Sequence, residues 1–185
     1  TPLEACIINK MTDAPKMLAF LFEKCKEWGI QIDMHALAML AVCDSNLPVL
    51  DMLLPLLDKN EGWYVALMHE AIWREGYADI LTRLKNHGAD LGNAVGAEGT
   101  LVHELLCHVV KYFNHSRTDS TRMDIPREEM FMPTFEDSYA PRMQCLSSLG
   151  AGVTEAENRD QLLGELLAAC EYLGKANQEK VMKVF

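Results

Sequence analysis

Residues 100–108 read TLVHELLCH, and His103-Glu104 followed by His108 has the residue types of a zinc-peptidase helix. That chemistry needs His-Glu-x-x-His. Two imidazoles four positions apart stand about 40° from each other around a helix, so they can close on one metal whose bound water the glutamate deprotonates. His103 and His108 are five positions apart, about 140° around the axis, too far to share an ion. Glu104 and His108 do share a helix face, but such a pair on a solvated helix is worth only about 0.3 kcal/mol. The chain also lacks a glycine-rich phosphate loop, a Gly-x-Ser-x-Gly turn and a cluster of metal ligands, and His35, His69, His87 and His115 stand apart from one another. No catalytic residue, metal or cofactor is assigned. An enzyme, or the non-catalytic part of one, is kept as the alternative, with a site assembled from Glu104, His108 and the insertion described below.

The elements that carry these residues belong to a chain of 185 residues, 49% apolar, which is ample for a buried core. Its 17 basic and 27 acidic side chains give a net charge of −10, which opposes binding to nucleic acid. Apolar runs such as Leu47–Leu57 are too short to span a bilayer and contain Asp51 and Pro55, and the first residues lack the order of a signal peptide. Cys6, Cys25, Cys43, Cys107, Cys145 and Cys170 form no Cys-x-x-Cys pair and sit in or beside apolar helical runs. They read as reduced thiols in a cytoplasmic protein, with up to three disulfides as the alternative for a chain that passes through an oxidising route.

A period organises the chain. Cut at residues 1, 34, 67 and 100, the segments TPLEACIINK, MHALAMLAVC, LMHEAIWREG and TLVHELLCHV share one order of apolar positions, and Pro15 and Pro48 are also 33 apart. Proline in a first helical turn costs no hydrogen bond, so both mark helix starts. In the third unit Gly76 separates two helical patterns and Gly88 ends the second. Units that cannot bury their apolar faces alone must stack on their neighbours.

These segments resemble the ankyrin repeat, which opens a first helix with Thr-Pro-Leu-His and, after a glycine turn and a second helix, continues through Gly-Ala-Asp into a hairpin. Thr1-Pro2-Leu3 matches the opening with Glu4 in place of histidine, Thr100-Leu101-Val102-His103 matches it without the proline, Gly88-Ala89-Asp90 matches the segment after the second helix, and Gly150-Ala151-Gly152-Val153 matches it in part. The resemblance implies that Thr100 caps a helix, worth about 1 kcal/mol, and that His103 helps to fix the turn between repeats. The second unit departs from the family, having neither a glycine turn nor Gly-Ala-Asp.

The expected architecture is an all-α, ankyrin-type solenoid forming one domain over 1–185. Its repeats run 1–33, 34–66, 67–99, 100–160 and 161–185, with an insertion at 114–140 in the fourth. That insertion is polar and broken by Pro126 and Pro133, so it should not continue the helix period, while Met130, Phe131, Met132, Phe135 and Tyr139 offer apolar anchors. Pro141 and Gly150 bound a further second helix. Leu3, Ile7, Leu18 and Leu21 at one end, and Val181, Val184 and Phe185 at the other, should lack a stacking neighbour, as in a segment of a longer protein or one whose ends pair with something.

Such arrays bind proteins. The family's contacts lie on hairpin tips and the first-helix face, which points here to Trp63, Tyr64, Asp90, Asn93, Glu98, Glu155, Glu157 and Asn158, with Met130 and Phe131 on the insertion; Trp63 reads equally as the first apolar residue of the next helix. The acidic tips suit a partner with a basic or mixed surface. Irregular arrays of this kind occur beside other domains in eukaryotic signalling proteins and in effectors that intracellular bacteria deliver into host cytoplasm. The oligomeric state is not fixed by these residues.

Overall fold

The structure, a computed structural model, describes residues 1–9, 12–58, 61–92, 95–96, 99–119, 132–151 and 159–185. The described residues are overwhelmingly helical, their only strands being a two-residue pair, so the chain is all-α. It divides into two compact units, Thr1–Asp90 and Leu91–Phe185.

The first unit holds α1 (Pro2–Ile8), α2 (Ala14–Glu27), α3 (Met34–Cys43), α4 (Leu47–Leu53), α5 (Glu61–Ala71) and α6 (Tyr77–Asn86), with a 3-10 turn at Leu54–Leu56. Each odd-numbered helix packs on the one that follows it. In addition α1 packs on α3, α3 on α5, α2 on α4 and α4 on α6, giving two rows of helices. The helix starts follow local chemistry. Thr1 and Glu4 close a capping box on α1, Pro15 and Pro48 lie in first turns, and the Asp33 and Asn46 side chains accept from the amides of Ala36 and Val49. Residues Leu37, Ala38, Ala41 and Val42 of α3, and Ile80, Leu81 and Leu84 of α6, recur at helical spacing and are buried.

Asn46 is the buried polar residue of the described core. Besides capping α4, its Nδ2 donates to the Ile7 carbonyl at 2.9 Å, which ties the second hairpin to the end of α1. The neighbouring Ser45 takes the left-handed conformation, φ 51°, between α3 and α4, the place that Gly76 (φ 71°) fills between α5 and α6. The second unit of the sequence therefore has its turn without glycine. The Ser45 hydroxyl donates to the Glu75 carbonyl at 2.6 Å, a bond that helps a residue with a Cβ to hold this geometry.

Two expectations change here. The cut at residue 67 falls inside α5, which begins six residues earlier at Glu61. Ile7 and Leu18, expected to lack a neighbour, are fully buried because α2 packs on both α1 and α4.

The second unit opens with a hairpin, β1 (Val95–Gly96) against β2 (Gly99–Thr100), antiparallel with Val95 opposite Thr100. It continues with α7 (Leu101–Asp119), α8 (Ala140–Ser148), α9 (Arg159–Ala169) and α10 (Lys175–Met182). Thr100 Oγ1 accepts from the His103 amide at 3.2 Å, the cap the sequence implies. Leu106, Val109, Val110 and Phe113 of α7 meet Leu162, Leu166 and Ala169 of α9 in the core. Val181, expected to lack a neighbour, is buried in this core, and Val184 and Phe185 pack against it.

The insertion departs from expectation at both ends. Helix α7 runs on through residues 114–119, because a polar run without proline does not oppose a helix already nucleated on a buried face. Residues 132–134 are helical and lead through a π turn, Phe135–Tyr139, straight into α8. In this turn the Ala140 amide donates to the Phe135 carbonyl five residues back. Five residues of α-helix would set Phe135 and Ala140 about 140° apart. The wider turn lets both be buried in one core, together with Met132. Met132, Phe135 and Tyr139 anchor this stretch as the sequence suggests.

Candidate interaction surface

Among the described residues no three His, Cys, Asp or Glu side chains group as a metal site would require. Glu104 is half-buried and His108 exposed on α7. His103 packs where the hairpin meets the helix: a Cβ on Gly99 (φ 98°) would stand 3.1 Å from its ring. That contact explains the glycine.

Trp63 and Tyr64 lie in the first turn of α5 rather than on a tip. Trp63 is 40% exposed and stacks on the His35 ring at 4.4 Å, with an interplanar angle of 14°. The His35 Nε2 stands 2.6 Å from Asp58 Oδ1, so a histidine at the start of α3 bridges both sides of the connection between α4 and α5. Tyr64 is corrected as a contact residue. It is buried one position further round the helix, and that burial raises its phenol pKa. Asp90 is exposed after α6. Asn93, Glu98, Met130, Phe131, Glu155, Glu157 and Asn158 lie outside the described residues.

Cys43 Sγ donates to Glu70 Oε1 at 3.4 Å, Arg74 pairs with the same carboxylate, and the Arg74 guanidinium is 3.8 Å from the sulfur. This cluster fastens α3 to α5. None of the six cysteines is in a disulfide; Cys6 and Cys170 are buried and the rest half-buried. Burial raises the thiol pKa of Cys145 and Cys170.

Among the described residues, an exposed apolar stripe lies where the repeat pattern did not single one out. Helix α2 buries only Ala14 and Leu18 and leaves Met17, Phe20 and, at its C-cap, Trp28 exposed, the last at 70%. Spaced at i, i+3 and i+11, these side chains follow one stripe of the helix, and Lys24 at i+7 lies on it with its ammonium 5.8 Å from the Phe20 ring centre. Ile30 continues the apolar character beyond the helix, 52% exposed. The available signal was the surplus of apolar residues in APKMLAFLFEKCKEWGI: one stripe suffices to pack a helix, and this one carries two.

No protein-family model, no curated protein and no solved structure matches this chain. Among the described residues no helix is long and apolar enough to cross a membrane.

Proposed function

We propose that the chain is a divergent ankyrin-type repeat array that serves as a protein-binding scaffold, and that the α2 stripe is its principal contact surface. The observation that carries this reading is the exposure of Met17, Phe20 and Trp28 along one face of a helix whose other side is packed. Uncovered large apolar side chains in a continuous patch mark interaction sites, and aromatic residues are the usual energetic centres of such sites. The repeat reading draws support from the Thr100 cap, the hairpin ahead of α7, the left-handed turns at Ser45 and Gly76, and the two rows of helices in the first unit. Trp63 and Asp90, both exposed, are further contact candidates. The partner has a basic or mixed surface beside its apolar centre, and its attachment weakens as salt rises.

The test compares proteins captured by proximity labelling with the wild-type chain and with a Phe20→Ala/Trp28→Ala variant, after circular dichroism has shown that both melt alike. Loss of specific partners from the variant is the expected result. An unchanged set of partners at unchanged intensity removes α2 as the binding surface.

A further inference from the structure

Among the described residues one buried side-chain nitrogen has no hydrogen-bond partner, and it lies beside a thiol. It is Nε of Arg74, in the turn that follows α5. The Arg74 side chain as a whole is 40% exposed, but this atom is covered. Its neighbours crowd onto the adjoining nitrogen: Nη2 pairs with the Glu70 carboxylate and stands 3.8 Å from Cys43 Sγ. By covalent geometry Nη2 is on the side of the guanidinium to which Nε–H points, so the two form one edge of a planar fork. One prong of that edge serves two groups and the other serves none. A covered donor left unfilled is costly, and an arginine edge is shaped for two acceptors side by side.

Cys43 is placed to supply the missing one. Half-buried at the end of α3, it donates its S–H to Glu70 Oε1 at 3.4 Å. Passing that proton from sulfur to carboxylate leaves the total charge of the cluster unchanged. Nη2 meets both groups, so the cation attends the negative charge in either place. The other thiols differ in setting: Cys6 and Cys170 are buried, and burial raises the pKa of Cys145 and Cys170, which keeps them protonated.

We propose that Cys43 is a peroxide-sensitive thiol whose sulfenic acid is held by the Arg74 edge. The thiol proton passes to Glu70 and the thiolate sulfur attacks one oxygen of hydrogen peroxide. The O–O bond breaks as the S–O bond forms, and the hydroxide released takes the proton back from Glu70 and leaves as water. Sulfur loses two electrons and the peroxide gains them. The new oxygen accepts from Nε, and its O–H replaces the S–H as a donor to Glu70.

Exposing the whole chain to hydrogen peroxide in the presence of dimedone, which traps sulfenic acids, and mapping the adducts by peptide mass spectrometry tests it. Cys43 should be labelled about tenfold faster than Cys25 and Cys107, which are also half-buried. Arg74→Met should bring Cys43 down to their rate. Arg74→Lys, which keeps a cation but not the paired edge, should recover only part of that loss. Far-ultraviolet spectra and unfolding followed by tryptophan fluorescence establish that both variants fold, and the comparison of cysteines within the wild type needs neither. Labelling of Cys43 no faster than that of Cys25 and Cys107 in the wild type overturns the site. An unchanged rate in Arg74→Met, or full recovery in Arg74→Lys, overturns the role of the edge.

Discussion

Replacing Ser45 separates two opposed contributions at one turn. Ser45 sits at φ 51°, and its hydroxyl donates to the Glu75 carbonyl. A residue with a Cβ in the left-handed region costs about 1 kcal/mol relative to glycine. The exposed hydrogen bond returns about 0.5 kcal/mol. Ser45→Ala keeps the backbone cost and loses the bond, so it should destabilise by about 0.5 kcal/mol. Ser45→Gly loses the same bond but sheds the backbone cost, leaving the unit as stable as wild type or about 0.5 kcal/mol more so. The difference of about 1 kcal/mol between the two variants isolates the backbone contribution, and Gly76→Ala should lose about the same amount, since open space surrounds that site. The assay is urea unfolding followed by tryptophan fluorescence. Trp28, Trp63 and Trp73 all belong to the first unit, so the signal reports that unit alone. The two Ser45 variants should differ in midpoint by about 0.5–1 M urea. If Ser45→Ala matched or exceeded Ser45→Gly, the strained-turn account would be wrong.

In the same assay Asn46→Ala should cost about 2–3 kcal/mol, because it removes the α4 cap and takes a donor from the buried Ile7 carbonyl; a cost under about 0.5 kcal/mol would contradict the coupling of the hairpins. Thr100→Ala should destabilise the second unit by about 1 kcal/mol, and Thr100→Ser should restore most of it, read by circular dichroism at the transition that tryptophan fluorescence does not see. Burial, with Tyr112 adding to it, raises the pKa of Tyr139. The contribution from this raised value is complete below the ordinary tyrosine range and is lost as pH climbs through the folded-state value, so alkali should weaken the second unit, and Tyr139→Phe should flatten that slope without altering stability near neutrality by much.

The punctuation of this fold is local, and that is why it was legible. Pro15, Pro48 and Pro141 stand in first turns, Gly76, Gly88 and Gly150 have positive φ, and Thr100 caps α7, each through chemistry confined to a few residues. Ser45 was not legible as a left-handed residue because its compensating partner is 30 positions away. The start of α5 was misplaced. A fixed period carries the cut to Leu67, although Asn60, a residue type that opens helices, stands directly before Glu61 in the sequence and signals the shorter spacing. Residues 114–119 look like loop by composition and are helix by continuation, and the π turn at Phe135–Tyr139 answers a demand for burial that no local pattern displays. Of the contact residues, Trp63 and Asp90 are exposed, whereas Tyr64 is turned inward by one step of helix rotation. The α2 stripe escaped because counting apolar residues does not tell which of two stripes a neighbour will cover.

A chain of look-alike hairpins runs the risk of assembling out of step, one hairpin seating where another belongs or changing places with its counterpart in a different molecule. Greasy contacts alone forgive such slippage. The amide of Asn46 does not, since only the correct neighbour brings the Ile7 carbonyl within its reach. That side chain therefore acts as a notch that rejects mis-seated neighbours.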